Sequence, residues 1–336
     1  MSLARLARQA LAGTAMALAA ALAAGLWLSQ ALGPVSSDET PVDVRIPEGA
    51  TLDGIARELE SAGVVRHAWA FGLLARWRSV GSELRAGEYA LAPSAAATEI
   101  LDDIVLGRVR THRVVIPEGL TAVEIAGRLE ETGLSDRSAF LAAVEDPALV
   151  SELGVEGETL EGYLYPETYQ LARGLPADEV AAAMVSQFQI VWIEIAEAAA
   201  VRGLSMKETV TLASIIEKET GSPQERPLIA SVFHNRLERG MRLETDPTVI
   251  YGIPDFDGNL RRSHLEDREN PYNTYQIAGL PPGPIASPGG EALRAAVHPE
   301  KSEYLFFVSR NDGTHHFSRT YREHSAAVDR FQRGGR

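Results

Sequence analysis

The residues with the clearest chemical potential are two acids, Glu217 and Glu219, in the stretch "ETVTLASIIEKETGSPQERP" at 208–227. A carboxyl group can give a proton to a leaving oxygen or take one from a hydroxyl, provided its surroundings bring its pKa near the working pH. Both acids fall where a helix should end, just before Gly221. Carbonyls at a helix C-terminus disfavour negative charge by roughly 0.3–1 kcal/mol, raising a carboxylate pKa by less than about one unit. A general acid needs more, and burial would have to supply it. Helical residues advance about 100° each, so the two side chains point about 200° apart and cannot share one cleft on a regular helix. Glu219 continues the stripe of Leu212, Ile215 and Ile216, while Glu217 falls beside Met206, Val210 and Ala213. That pattern makes Glu219 the expected buried acid, with Arg226 as a candidate partner. It leaves open which acid does chemistry, and a plain solvated helix end is the blander alternative.

Local signals set these acids at a corner. "Ser205-Met206-Lys207-Glu208" is a capping box that starts their helix. "Ser222-Pro223-Gln224-Glu225" signals the next helix, whose first turn Pro227 makes irregular. Ile229, Val232, Phe233 and Leu237 should face inward before Gly240. Upstream, "ADEVAAAMVSQFQIVWIEIAEAAAVRG" reads as a long helix ending before Gly203. Downstream, 241–288 is rich in Pro, Gly, Asn and Tyr, and loops of this length usually carry function or cover a site. A short helix at 291–296, a strand "EYLFFVS", a turn "NDGTHHF" and a helix from Tyr321 follow. His315, His316 and His324 lack H-x-x-x-H spacing and read as a surface turn rather than a zinc site. The absence of cysteine excludes disulfides, thiolate metal sites and a cysteine nucleophile, no G-x-S-x-G elbow supports a serine hydrolase, and no cofactor or metal is expected.

The first third of the chain is organised differently. From Ala10 to Leu32 no residue is charged, Arg5 and Arg8 precede the run, and Asp38 and Glu39 follow it. As a helix the run extends about 34 Å, enough for a hydrocarbon core of about 30 Å. The positive-inside rule then puts the short tail in the cytoplasm and the bulk outside. A cleavable signal peptide, or an alanine-rich soluble helix, is the competing reading. Pro34 to Pro41 reads as a linker. "IPEGATLDGIARELESAGVV" from Ile46 and "IPEGLTAVEIAGRLEETGLS" from Ile116 form an internal repeat. Each copy has a strand, a Pro-Glu-Gly turn and an amphipathic helix. The helical stripes are Leu52, Ile55, Ala56 and Leu59, then Val123, Ile125, Ala126 and Leu129, with Gly63 and Gly133 as C-terminal caps. A second helix at 68–78, a strand "AGEYAL" and a helix at 98–106 complete the first module. Its strand-helix-helix-strand order and "PEGATLDGIA" resemble the LysM peptidoglycan-binding module; a generic α+β module is the alternative. The net charge of −14 argues against a nucleic-acid partner.

A wider resemblance covers the chain from about Val42 to its end. "LASIIEKET", "IASVFHNRLERGMRLETDPTVIYG", "NPYNTYQIAGLPPGPIASPG", "AVHPEKSEYLFFV" and "LEGYLYPETYQL" occur in the order of the endolytic murein transglycosylase (YceG-like) family, which the chain resembles. The resemblance implies cleavage inside peptidoglycan glycan strands, leaving 1,6-anhydro-N-acetylmuramic acid ends and limiting nascent strands. It maps the first glutamate of E-K-E, Glu217, as the catalytic residue, which leaves Glu219 as a structural acid. It also implies action beside glycan-synthesising enzymes at the inner membrane. Asn235, Thr245, Asp246, Tyr272, Asn273 and Thr274 are the expected substrate-binding residues, against capping and turn roles. Tyr163, Tyr165 and Tyr169 are expected in the core, with stacking on sugar rings as the alternative. The segment 254–269 supports no transfer of roles. The expected fold class is α+β. Its divisions are a cytoplasmic tail (1–9), transmembrane helix (10–32), linker (33–41), LysM-like module (42–110), second strand-helix module (111–176) and catalytic domain (177–336). A non-catalytic peptidoglycan-binding scaffold and a water-using muramidase are the competing functions.

Overall fold

The computed structural model describes the backbone of residues 3–333 and the side chains of residues 13–333. Met1 and Ser2 of the expected tail lie outside it, as do the side chains of Arg5 and Arg8. The chain divides into two compact units, 1–112 with 172–174 and 113–171 with 175–336. Together they are a mixture of helices and three two-stranded sheets, an α+β architecture among the described residues.

The first unit opens with α1 (Leu3–Ala31), so helix already occupies most of the stretch expected as a tail. Its segment Gly13–Ala31 has a mean hydropathy of 1.4 and is almost wholly exposed within the structure. Then come β1 (Val42–Ile46), α2 (Leu52–Ser61), α3 (Ala68–Trp77), β2 (Gly87–Leu91) and α4 (Ala97–Leu106). β1 and β2 pair antiparallel with Val44 opposite Tyr89. Alternation along β1 turns Val44 and Ile46 inward, onto Ile55, Leu59, Phe71, Leu74 and Ile100. Residues 33–41 are tied to this unit: the Val35 and Ser36 amides donate to the Pro93 carbonyl and the Ser94 amide to that of Asp38.

The second unit begins within β3 (Thr111–Val115) and continues with α5 (Ala122–Glu131), α6 (Arg137–Val144), α7 (Pro147–Glu152) and all but the last residue of β4 (Thr168–Ala172), β3 pairing with β4. In α5 the buried stripe is Ala122, Ile125, Ala126 and Leu129; Val123, expected inward, is 49% exposed. The cause is local, because Thr121 caps the helix in a capping box with Glu124 and so fixes Ala122 as the first inward position. Gly119 takes the left-handed φ of +77° that closes its Pro-Glu-Gly turn. Next come α8 (Ala177–Val201), α9 (Met206–Glu219), α10 (Arg226–Glu238), α11 (Asp246–Tyr251), α12 (Arg262–Glu266), α13 (Gly290–Val297), β5 (Phe306–Ser309), β6 (His315–Ser318) and α14 (Tyr321–Val328). One continuous core runs from Val114 and Ile125 through Phe188, Ile215 and Phe233 to Leu293. The second strand-helix module therefore shares its core with the helices after Ala177.

The helix α9 is the axis of this unit. Every residue from Thr209 to Ile216 is buried, so α9 has packing on all sides rather than one inward stripe. Its end is abrupt. Thr220 is extended (φ −142°, ψ 135°), and a 3-10 turn at Pro223–Glu225 leads into α10. Ile229, Val232 and Phe233 are buried as expected. The segment after Gly313 is not a surface turn. β6 pairs with β5, setting Val308 opposite His316 and Phe307 opposite Phe317, and this draws His315 into the unit.

Candidate active site

The last turn of α9 holds the two acids in different surroundings. Glu217 is engaged through both oxygens. Its Oε1 accepts from Arg226 Nη2 at 2.6 Å, and its Oε2 from the Gly289 amide at 2.9 Å. Both partners in the ion pair are buried, with side chains 6% and 8% exposed. Glu118, in the Pro-Glu-Gly turn of the second repeat, also meets Arg226 at 3.2 Å. The same turn accepts Lys218 Nζ at the Gly119 carbonyl, 3.1 Å away. The second copy of the repeat thus braces the α9–α10 corner. Arg226 pairs with Glu217, not with Glu219 as expected from the apolar stripe. The physical reason is the all-round burial of α9: a helix without a single inward face gives its stripe no power to rank two end residues.

Glu219 faces a cavity of about 680 Å³, lined also by Arg236, Asp246, Tyr275, Phe306, His315 and His324. That volume lies within the range typical of small-molecule sites. The Thr245 hydroxyl donates to Glu219 Oε1. Burial pushes the carboxyl up from 4.5 to about 7, and nearby Asp246 pushes the same way; the Thr245 bond, His315 and Arg236 oppose the rise. This is the range in which a carboxyl can give and retake a proton at neutral pH.

The wall around Glu219 is built by fixed contacts. Thr245 is the N-cap of α11, and its amide donates to Thr274 Oγ1 at 3.0 Å. The Tyr275 hydroxyl donates to Asp246 Oδ1 at 2.8 Å. Burial and the Asp246 carboxylate hold that phenol protonated. Arg236 donates through Nε to the Leu305 carbonyl at 2.6 Å and through Nη1 to the carbonyls of Arg242 and Leu243, both at 3.0 Å. It thereby clamps the entry to β5 against the 242–244 turn. His315 Nδ1 meets Glu225 Oε2 at 2.7 Å while its amide donates to Oε1 of the same carboxylate at 3.0 Å. That double contact fixes the ring.

Of the six expected substrate-binding residues, Asp246 lines the cavity beside Glu219, and Thr245 is buried with its hydroxyl on the Glu219 carboxyl. Asn235 is turned to backbone, donating to the carbonyls of Ser302 and Tyr304 at 3.0 and 2.9 Å. Asn273 is fully buried; its Nδ2 donates to the carbonyls of His264, Leu265 and Asp267, and its Oδ1 accepts the Tyr275 amide. Thr274 is equally buried, between Thr245 and Thr248. Tyr272 lies edge-on to Tyr251, beside a small recess that also holds Glu161. These four therefore shape the loop rather than face the cavity, as the turn and capping alternatives expect. Tyr163 and Tyr169 are core residues. Arg236 and Tyr275 are not among the expected site residues, and the sequence offers Glu225 only as part of a helix start and His315 only as part of a surface turn. Arg236 and Tyr275 sit inside quoted motifs, but nothing in residue spacing ties Glu225 to His315, ninety positions away.

Residues 44–330 match the YceG-like family. The chain is 30% identical over 324 residues to the endolytic murein transglycosylase of Bacillus subtilis (strain 168), covering 91% of this chain and 89% of the relative. It is also 30% identical over 326 residues to the endolytic murein transglycosylase of Streptococcus pneumoniae (strain ATCC BAA-255 / R6), covering 85% of this chain and 58% of that longer relative. A crystal structure of a YceG-like protein from Listeria monocytogenes superposes with a TM-score of 0.59 at 32% identity, covering 86% of this chain and 99% of that one.

Proposed function

The chain belongs to the YceG-like family, and from that premise we propose that it is a lytic transglycosylase that cleaves peptidoglycan glycan strands internally, with Glu219 as its proton donor. The observation that carries this reading is the Glu219 carboxyl, raised to about 7 and facing a cavity that also holds Asp246, Glu244 and a protonated phenol. Ordinary glycosidases divide the work between two carboxyl groups that flank the scissile bond. One suffices when the nucleophile belongs to the substrate. Protonated Glu219 gives its proton to the glycosidic oxygen as the bond from C1 of N-acetylmuramic acid breaks. The carboxylate left behind takes the proton from the C6 hydroxyl of the same sugar, whose oxygen bonds to C1. The acid is restored and a 1,6-anhydro end is formed. The attack is intramolecular, so its effective concentration is already high. Asp246 has two parts: it favours the protonated form of Glu219, and its charge stabilises the cationic character that develops at C1. Thr245 aims the Glu219 carboxyl, and Tyr275 aims Asp246.

The resemblance in sequence maps the catalytic role to Glu217. The surroundings favour Glu219, because Glu217 has both oxygens committed to Arg226 and Gly289 and does not line the cavity. We assign Glu217 to holding the corner. The first unit we read as LysM-like on its strand-helix-helix-strand order, and α1 as a single-pass anchor with the bulk of the chain outside the cytoplasm. Its length and apolar surface support that reading. Digestion of purified peptidoglycan tests the reaction: mass spectrometry should find anhydro ends at internal cuts. Reducing ends would make the protein a muramidase, and no cleavage by the folded chain would make it a binding scaffold.

A further inference from the structure

The helix α3 is apolar on both faces. Ala70, Phe71, Leu74 and Ala75 are buried in the core of the first unit, while Trp69, Leu73 and Trp77 are 44, 48 and 81% exposed. Their i, i+4, i+8 spacing stacks the three on one ridge. A helix on the surface of a soluble unit carries polar residues there. A contiguous run of large apolar side chains marks a surface that meets something.

The partner is identified by what the ridge adjoins. Trp27 of α1 stacks on Trp69, with ring centroids 4.8 Å apart and planes 15° from parallel. Trp27 is four residues before the end of α1, about 6 Å of helical rise. In a spanning helix that is the level of the membrane–water interface, where tryptophan rings concentrate. The join between helix and unit is stiff. Ala31 is buried, the Ala97 amide donates to the Leu32 carbonyl at 2.9 Å, and Arg66 Nε donates to the Pro34 carbonyl at 2.7 Å. A bilayer crossed by α1 is therefore brought up to α3 itself. We propose that Trp69, Leu73 and Trp77 insert into the interfacial layer of the bilayer, so that the first unit lies on the membrane rather than hanging from it. This rests on the reading of α1 as an anchor. The neighbouring Arg76 and Arg78 are paired with Asp53 and Asp102, so the contact is apolar in character and needs no anionic lipid.

The chain has no cysteine, so single spin labels can be placed at will. The full chain is reconstituted at one copy per disc in phosphatidylcholine nanodiscs, labelled in turn at Leu73→Cys, Trp77→Cys, Leu22→Cys in α1, and Ala90→Cys on the exposed side of β2. Power saturation then compares access of oxygen, which dissolves in lipid, with that of a water-soluble nickel chelate. Labels at 73 and 77 should favour oxygen over nickel, as the label at 22 does, and the label at 90 should show the reverse. A lipid signature at 22 with aqueous signatures at 73 and 77 overturns the docking and leaves the anchor standing. An aqueous signature at 22 overturns the anchor and the docking with it. Exclusion of nickel at 73 and 77 only when discs hold two copies makes the ridge a contact between copies and also overturns the proposal.

Discussion

Replacing Glu219 by glutamine should make the protein more stable, and by an amount that grows with pH. Burial raises the Glu219 carboxyl from 4.5 to about 7. Below about 4.5 the folded and unfolded chains both hold this proton and the group is neutral in the balance. Between 4.5 and 7 the unfolded chain gives it up first, so folding loses stability as pH rises; above 7 the full loss persists. A difference of about 2.5 pKa units corresponds to roughly 3 kcal/mol at 1.36 kcal/mol each. Glutamine does not titrate, and its carbonyl can still accept the Thr245 hydroxyl. The advantage of E219Q over the parent should therefore be under about 1 kcal/mol at pH 5 and about 3 kcal/mol at pH 8. At about 2–4 °C per kcal/mol for a domain of this size, the gap in Tm should widen by roughly 5–10 °C. Thermal melts of full-length parent and variant in detergent, at both pH values, measure it. Glu161, also raised to about 7 by burial, is present in both proteins and cancels. A gap that stays constant with pH would refute the claim that Glu219 is held as an acid.

Other substitutions separate support from chemistry. E217Q leaves the buried Arg226 guanidinium with only half-exposed Glu118 as a charge partner, and should cost about 3 kcal/mol in chemical denaturation. Thr245→Val removes a bond that favours the ionised form of Glu219; the alkaline limb of the kcat/KM profile, which reports loss of that proton near pH 7, should move upward. Gly162→Ala puts a Cβ against Pro284 and Val210 at a backbone φ of +85°, and should cost at least about 2 kcal/mol in a urea titration.

Much of the frame around the site can be read from local signals. The capping box at Ser205, the Pro223 start and the glycine stops fix α9 and α10, and they place the acids at a corner. Those signals are local in sequence, and the backbone obeys them locally. The environments of the two acids are different in kind. Glu217 is defined by the Gly289 amide and by Arg226, Glu219 by Thr245 and β6, and these partners come together only when the whole unit packs. The stripe of Leu212, Ile215 and Ile216 rightly points to a buried Glu219 but not to its partner, because α9 is enclosed on every side and Glu217 is buried too. The polar residues of "NPYNTYQ" look like ligands for a sugar, yet Asn273 and Thr274 spend their hydrogen bonds folding their own loop. His315 reads as part of a turn until its pairing with Glu225 is seen.

The central claim is that one carboxyl, Glu219, does the acid–base work while Glu217 holds the corner. Parent, E217Q and E219Q, each shown to be folded by its thermal melt at the assay temperature, can be incubated with purified peptidoglycan and the anhydro ends counted by mass spectrometry. The account predicts none from E219Q, despite its higher Tm, and residual anhydro product from the folded fraction of E217Q. Anhydro ends from E219Q at the parent's rate, with none from folded E217Q, would contradict it and return the catalytic role to Glu217.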